Sequence, residues 1–207
     1  MLMYDESSRL PIGDPEKDPL PVSPGMREIE QKLDGFILST SGWRMIFASD
    51  GLPDSMREDI SPEATVIAAV SAYAFANYLK EKSGKDSPRV VLGIDSRYTS
   101  PALADIFSRI FLGCNMKVCY PFIVAAPEIM SYVKMSNDID GFAYISASHN
   151  PIGYNGFKFG LSDGSVLAAE DSGKLMYSFN ELIRNQHAIA KTVDLIHTVQ
   201  ISSLASV

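Results

Sequence analysis

Residues 145–159 read Ile-Ser-Ala-Ser-His-Asn-Pro-Ile-Gly-Tyr-Asn-Gly-Phe-Lys-Phe. An apolar run from Phe142 stops at Ser146, a Pro/Gly turn follows, and a second short run begins at Gly156. The pattern predicts a strand over 142–146, a loop carrying Ser148, His149 and Asn150, and a further edge strand over 156–160. One tight turn thus holds a hydroxyl, an imidazole and an amide, and Lys158 follows ten residues after the hydroxyl. Asn150-Pro151 and Asn155-Gly156 read as turn chemistry.

Working upstream, Arg89–Ile94 is short, apolar and rich in β-branched residues, as a buried parallel strand is. It delivers Asp95-Ser96-Arg97 into a loop, where Asp95 and Arg97 read as a structural ion pair. Ser100-Pro101 opens a helix to about Gly113, Lys117–Phe122 is a strand, and a helix runs from Pro127 to about Ser136. This βαβαβ rhythm implies an open α/β sheet, whose ligands gather beyond the carboxyl ends of its strands. The Ser148 loop starts at such an end.

Ser61-Pro62-Glu63 joins a hydroxyl N-cap, a first-turn proline and a first-turn acid, and predicts a helix to about Lys82 that stops at Gly84. Its apolar residues cover most of the circumference, so it packs on more than one side. Gly35–Leu38 reads as a brief strand, and 39–44 as a turn-rich loop pinned by Trp43. Residues 1–34 carry prolines 11, 15, 19, 21 and 24 and read as a loosely ordered or wrapping arm with a short helix over Met26–Leu33. A closing helix is expected from Ala168 to about Asn185.

Ser148 is the candidate nucleophile. Its neighbour His149 invites comparison with serine hydrolases, but adjacent side chains on a turn point apart, and the Gly-x-Ser-x-Gly elbow is absent. A phosphorylated Ser148 fits better, because a phosphoryl group needs donors nearby and the motif has them. Turn N–H groups face an anion, Asn150 braces the turn, and Lys158 returns along the next strand with a positive charge. A lysine whose pKa is lowered by burial or neighbouring cations also moves protons.

The Ser-His-Asn-Pro and Asn-Gly-Phe-Lys segments resemble the phosphoserine loop of the α-D-phosphohexomutase superfamily, the phosphoglucomutases and phosphomannomutases. Thr40-Ser41-Gly42-Trp43-Arg44 is similar to the superfamily's N-terminal Gly-Thr-Ser-Gly-x-Arg signature, with Ser39 where glycine is common. Val91–Arg97 with Ser100-Pro101 resembles its Val-Val-Gly-Arg-Asp-x-Arg segment, with Ile94 in place of arginine.

The resemblance spans about residues 36–185 and implies an open mixed, mostly parallel sheet with helices on both faces, the superfamily's domain I. It divides the chain into an arm (1–34), that domain (35–187) and a segment leading toward a second domain (188–207). The implied reaction interconverts sugar 1- and 6-phosphates through phosphoserine and a bisphosphorylated sugar. Ser148 is then the carrier, Lys158 the acid/base group, and Arg44 and His149 the groups that steady charge. Thr40, Ser41 and Asn150 bind substrate or phosphate. Mg²⁺ sits on the phosphate of Ser148, and glucose 1,6-bisphosphate acts as activator.

The superfamily's metal loop, Asp-Gly-Asp-x-Asp-Arg, does not occur in the sequence, so an N-terminal fragment, inactive by itself and partnered by the missing domains of the same protein, is expected. Ser146-Ala147 leans toward the glucosamine phosphate type and Tyr154–Lys158 toward the favoured glucose or mannose type. A non-catalytic sugar-phosphate binding domain is a third reading.

Composition bounds these expectations. With 46% apolar and 21% charged residues, the chain of 207 residues is an ordinary globular one. A formal charge of −7 argues against a nucleic-acid or anionic membrane surface. Cys114 and Cys119 read as buried thiols in a reducing compartment. No apolar run approaches the roughly 20 residues that cross a bilayer. The acidic, proline-rich N-terminus is unlike a secretory signal, and a cytoplasmic location is expected.

Overall fold

Near the N-terminus two short strands, β1 (Met3–Tyr4) and β2 (Pro11–Gly13), pair antiparallel in a computed structural model that describes residues 3–4, 11–13 and 18–199. Two paired strands thus lie where a loosely ordered or wrapping arm is expected; the rest of that expectation before Asp18 lies outside the described residues. The expected short helix is present as α1 (Met26–Leu33), its start closed by the Gly25 N–H donating to Glu28 Oε2 at 2.6 Å.

After α1 the chain forms β3 (Trp43–Ile46), α2 (Pro62–Ser83), β4 (Arg89–Ile94), α3 (Ser100–Gly113) and β5 (Lys117–Cys119). It continues through α4 (Ala126–Met135), β6 (Gly141–Ile145), β7 (Tyr154–Leu161), α5 (Ala169–Ile183) and α6 (Gln186–Thr198). Five strands make one sheet in the order β3-β7-β6-β4-β5. Pairing is parallel among β6, β4 and β5, and antiparallel where β7 and β3 join.

Local signals fix the helices. Ser61 Oγ accepts from the Ala64 N–H at 3.4 Å, and Gly84 ends α2 in the left-handed conformation at φ 67°. Buried residues lie all round α2 because α1, α3, α5 and α6 pack against it and Phe75 stacks on Phe159 of β7 at 4.5 Å. Each large side chain buried there contributes about 1.5–3 kcal/mol. α4 covers β4 and β6 on the opposite face, through Ile129 and Val133 against Val91, Phe142 and Tyr144.

Four elements differ from the sequence-based expectation. Gly35–Leu38 makes only a single bridge, Ile37 to Arg44, and the strand is β3, inside the expected loop. β7 is interior, because β3 pairs along its outer side. β5 stops at Cys119: Pro121 has no N–H to pair, and Phe122 takes a positive φ of 62°. The helix α6 has no counterpart in the expectation; it packs against α2 and α3, so the expected boundary at 187/188 falls within its first turn.

Asn155-Gly156 is also not a turn but lies inside β7. Asn155 is fully buried, its amide donating to Thr99 Oγ1 at 3.0 Å and Ser100 Oγ at 2.9 Å. Gly156 faces the β3 backbone, where a Cβ would come within 2.0 Å of the Trp43 carbonyl oxygen. The two cysteines are free thiols, half-buried rather than buried. Burial pushes the Cys114 thiol up to about 11.

Gly156→Ala must part β3 from β7, and is expected to lower unfolding free energy by about 2 kcal/mol or more in urea titrations; an unchanged midpoint would show that the strands can yield. Cys114 holds almost no thiolate at pH 8, because its raised pKa keeps it protonated until about pH 11. Iodoacetamide should modify it about 100-fold more slowly than a free cysteine does, as read by peptide mass spectrometry.

Candidate active site

Sheet pleating places the two basic side chains. Along β7, Phe157 and Phe159 face the core under α2, so Gly156 and Lys158 face the other way. Arg44 of β3 lies opposite Gly156, and the Ser146 N–H donates to the Gly156 carbonyl at 2.9 Å, which puts Arg44, Gly156 and Ser146 in one cross-strand row. Lys158 pairs with Tyr144 two residues along the same face. α4 covers β4 and β6 there, and β3 and β7 lie beyond it.

The result is a recess of about 180 Å³ lined by Ser41, Gly42, Trp43, Arg44, Ser146, Ala147, Ser148, His149 and Lys158. Five of the seven sequence-predicted residues, Ser41, Arg44, Ser148, His149 and Lys158, therefore meet in one place. Thr40 does not line it; it is exposed beside an adjoining crevice. Asn150 does not line it either. Its N–H donates to the Ala147 carbonyl at 3.1 Å, and its side-chain oxygen is buried with no partner among the described residues.

Ser148 is exposed and left-handed, with φ 56°. That conformation costs a non-glycine residue roughly 1–2 kcal/mol, and local bonds hold it. The Ser148 N–H donates to Ser146 Oγ at 3.0 Å. Its own hydroxyl has no hydrogen-bond partner among the described residues, so it projects free and no Ser–His relay forms.

Arg44 is steadied by hydroxyls rather than carboxylates. Its Nη2 donates to Ser41 Oγ at 2.9 Å and to Ser39 Oγ at 3.4 Å, while the Ser39 hydroxyl donates to the Gly42 carbonyl at 2.8 Å. Ser39, in the sequence only a departure from the usual glycine, thus shares in placing Arg44. Neither Arg44, Lys158 nor His149 has an acidic partner among the described residues. The recess gathers positive groups on a chain of net charge −7.

Arg97 is the expected half of an ion pair, and it does more. Buried at 8% exposure, it donates from Nε to Asp95 Oδ2 at 3.1 Å. From Nη1 it reaches the carbonyls of Pro151 at 2.5 Å and Tyr154 at 2.9 Å, and from Nη2 those of Ser148 at 2.9 Å and Asn150 at 2.7 Å. Asp95 also accepts from Ser100 Oγ at 2.9 Å, which links the fork to buried Asn155. The signal is present in the sequence as Asp-x-Arg at the end of a strand that shares its edge with the Ser148 loop.

Among the described residues no group of three or more His, Cys, Asp or Glu side chains is placed to hold a metal, and the recess lining contains cations and no carboxylate. Mg²⁺ prefers several oxygen ligands including carboxylates. The described residues do not fit it. No helix among them is long and apolar enough to cross a membrane.

Residues 40–185 match the family described as phosphoglucomutase/phosphomannomutase, alpha/beta/alpha domain I. The chain is 29% identical over 158 residues to a phosphoglucosamine mutase of Dictyoglomus turgidum, covering 74% of this chain and 34% of that protein. It is 32% identical over 133 residues to a phosphoglucomutase of Staphylococcus epidermidis, covering 62% of this chain and 24% of that one. A solved phosphomannomutase-like protein of Thermus thermophilus superposes with a TM-score of 0.55 at 25% identity, over 69% of this chain and 29% of that one. The chain thus spans about a third or less of the length of these relatives. With the phosphoserine-type loop, the Thr-Ser-Gly-x-Arg strand and the α/β/α sheet in one body, the chain belongs to the phosphoglucomutase/phosphomannomutase family and contains its domain I.

Proposed function

We propose that this chain carries the phosphoryl-transferring serine of a hexose-phosphate mutase. The observation that supports the reading is the convergence of Arg44, His149 and Lys158, without an acidic partner among the described residues, on a recess into which exposed Ser148 projects. A recess lined by basic side chains and no carboxylate favours an anion, and a free hydroxyl at its rim is the atom that accepts or returns a phosphoryl group.

In the proposed step a sugar hydroxyl attacks the phosphorus of phosphorylated Ser148. The new sugar O–P bond forms as the Ser148 Oγ–P bond breaks. Lys158, entering the step as the neutral amine, takes the hydroxyl proton and returns it to Ser148 Oγ as that oxygen leaves phosphorus. The sugar, now bisphosphorylated, reorients and returns its other phosphoryl group to Ser148 by the reverse sequence. Arg44 and His149 offset the charge spread over the phosphoryl oxygens, which is the largest contribution a protein makes to this reaction.

The relatives include both phosphoglucosamine and phosphoglucomutases. The glucose or mannose type is the proposed substrate, on the lean of the Tyr154–Lys158 segment. Glucose 1,6-bisphosphate is the proposed phosphoryl source.

Protein expressed from its own gene and incubated with glucose 1,6-bisphosphate should carry one phosphoryl group on Ser148 by peptide mass spectrometry. Phosphate found only on another residue overturns the assignment, and bisphosphate binding without any label favours a binding module. Ser148→Ala should reduce mutase turnover at least ~1,000-fold. Lys158→Met should lower kcat by about 100-fold with KM changed little, and Arg44→Ala should lower kcat/KM by a similar factor. Near-normal turnover by Lys158→Met would assign the proton to another group. Turnover of glucosamine phosphate above that of glucose and mannose phosphates would reverse the substrate proposal.

A further inference from the structure

A guanidinium has five N–H donors in a fixed plane, and Arg97 uses all five on five different acceptor groups: one carboxylate and four main-chain carbonyls. The four carbonyls belong to Ser148, Asn150, Pro151 and Tyr154, so the whole loop wraps one side chain. Arg97 is not among the residues that line the recess. Because a peptide unit is planar and trans, a carbonyl turned toward Arg97 turns the N–H of the same unit away. The unit whose carbonyl is Ser148's carries the His149 N–H. That N–H has no acceptor among the described residues, and His149 lines the recess.

We propose that Arg97 is the positioning residue of the Ser148 loop: by gathering its carbonyls it holds Ser148 in the left-handed conformation and turns the His149 N–H toward the phosphoryl group. The clause about the phosphoryl group rests on the proposed function; the clause about the loop does not. Arginine is required because the ammonium of a lysine has three donors for four carbonyls and no planar fork to space them. Asp95 fixes the rotation of that fork, and Ser100 and Asn155 fix Asp95. The residues are brought together only by the pairing of β4, β6 and β7.

The first measurement uses the unaltered 207-residue chain. Nitrogen-edited NMR should resolve four separate, slowly rotating Nη protons for Arg97, whereas a single averaged resonance would overturn the proposal. The second uses Arg97→Lys and Arg97→Ala in protein expressed from its own gene. Both should accept phosphoryl on Ser148 from glucose 1,6-bisphosphate at least about 50-fold more slowly, with the His149 amide resonance displaced. Millimolar methylguanidinium should restore Arg97→Ala at least about tenfold and leave Arg97→Lys unchanged. Transfer by Arg97→Lys within threefold of the unaltered protein overturns the positioning role, as does an unmoved His149 amide. Unaltered protein that accepts no phosphoryl would instead end the phosphoserine reading, and the Nη protons and the His149 amide then decide the loop. Should the variants not fold, the Nη pattern of the unaltered chain decides alone.

Discussion

The carbonyls of a tight loop must be satisfied, and here one buried guanidinium satisfies four of them. Arg97 can be buried because Asp95 neutralises it and because its five donors each find an acceptor, the condition under which a buried charge is tolerated. The exposed Ser148 hydroxyl therefore sits on a rigid support although it has no hydrogen-bond partner of its own among the described residues. Removing the arginine would leave four carbonyls without their donor and a left-handed serine without its restraint. The local cost at Ser148 is met by bonds made over fifty residues away in sequence.

The same economy appears in the sheet. α4 is short and lies over β4 and β6, while β3 and β7 carry Gly156, Arg44 and Lys158 on that face beyond it. Period-two alternation separates the roles of neighbours: Phe157 and Phe159 anchor the strand in the core, and Lys158 between them enters the recess. Gly156 lets β3 approach closely enough for Arg44 to stand beside the Ser146 end of β6. Packing on one face and the site on the other are therefore two consequences of one strand.

Electrostatically the recess opposes the chain as a whole. An overall charge of −7 repels anions at long range, yet screening confines that field to about 8–10 Å in physiological salt. Inside the recess the near cations dominate. Arg44 is held by serine hydroxyls, which orient it without neutralising it, so its charge remains available to an anion.

What the sequence by itself determined was local. Ser61-Pro62 and Gly84 bound α2 to within a residue or two, Met26–Leu33 is legible as it stands, and β4 and α3 follow from composition and caps, because such signals act within a turn. The cluster of Ser148, His149 and Lys158 is legible for the same reason: its members lie within eleven residues on one strand-loop-strand unit. Only the tertiary structure decided the rest. β3 lies hidden in a stretch of turn residues until β7 is there to pair with it. Asn155-Gly156, a turn signal in isolation, becomes strand because buried Thr99 and Ser100 take the amide and β3 leaves no room for a Cβ. Arg97 and Ser148 become partners because parallel pairing of β4 with β6 brings the ends of those strands to one edge. Such contacts join residues some fifty positions apart, where local propensity is silent and burial and hydrogen-bond satisfaction choose the conformation.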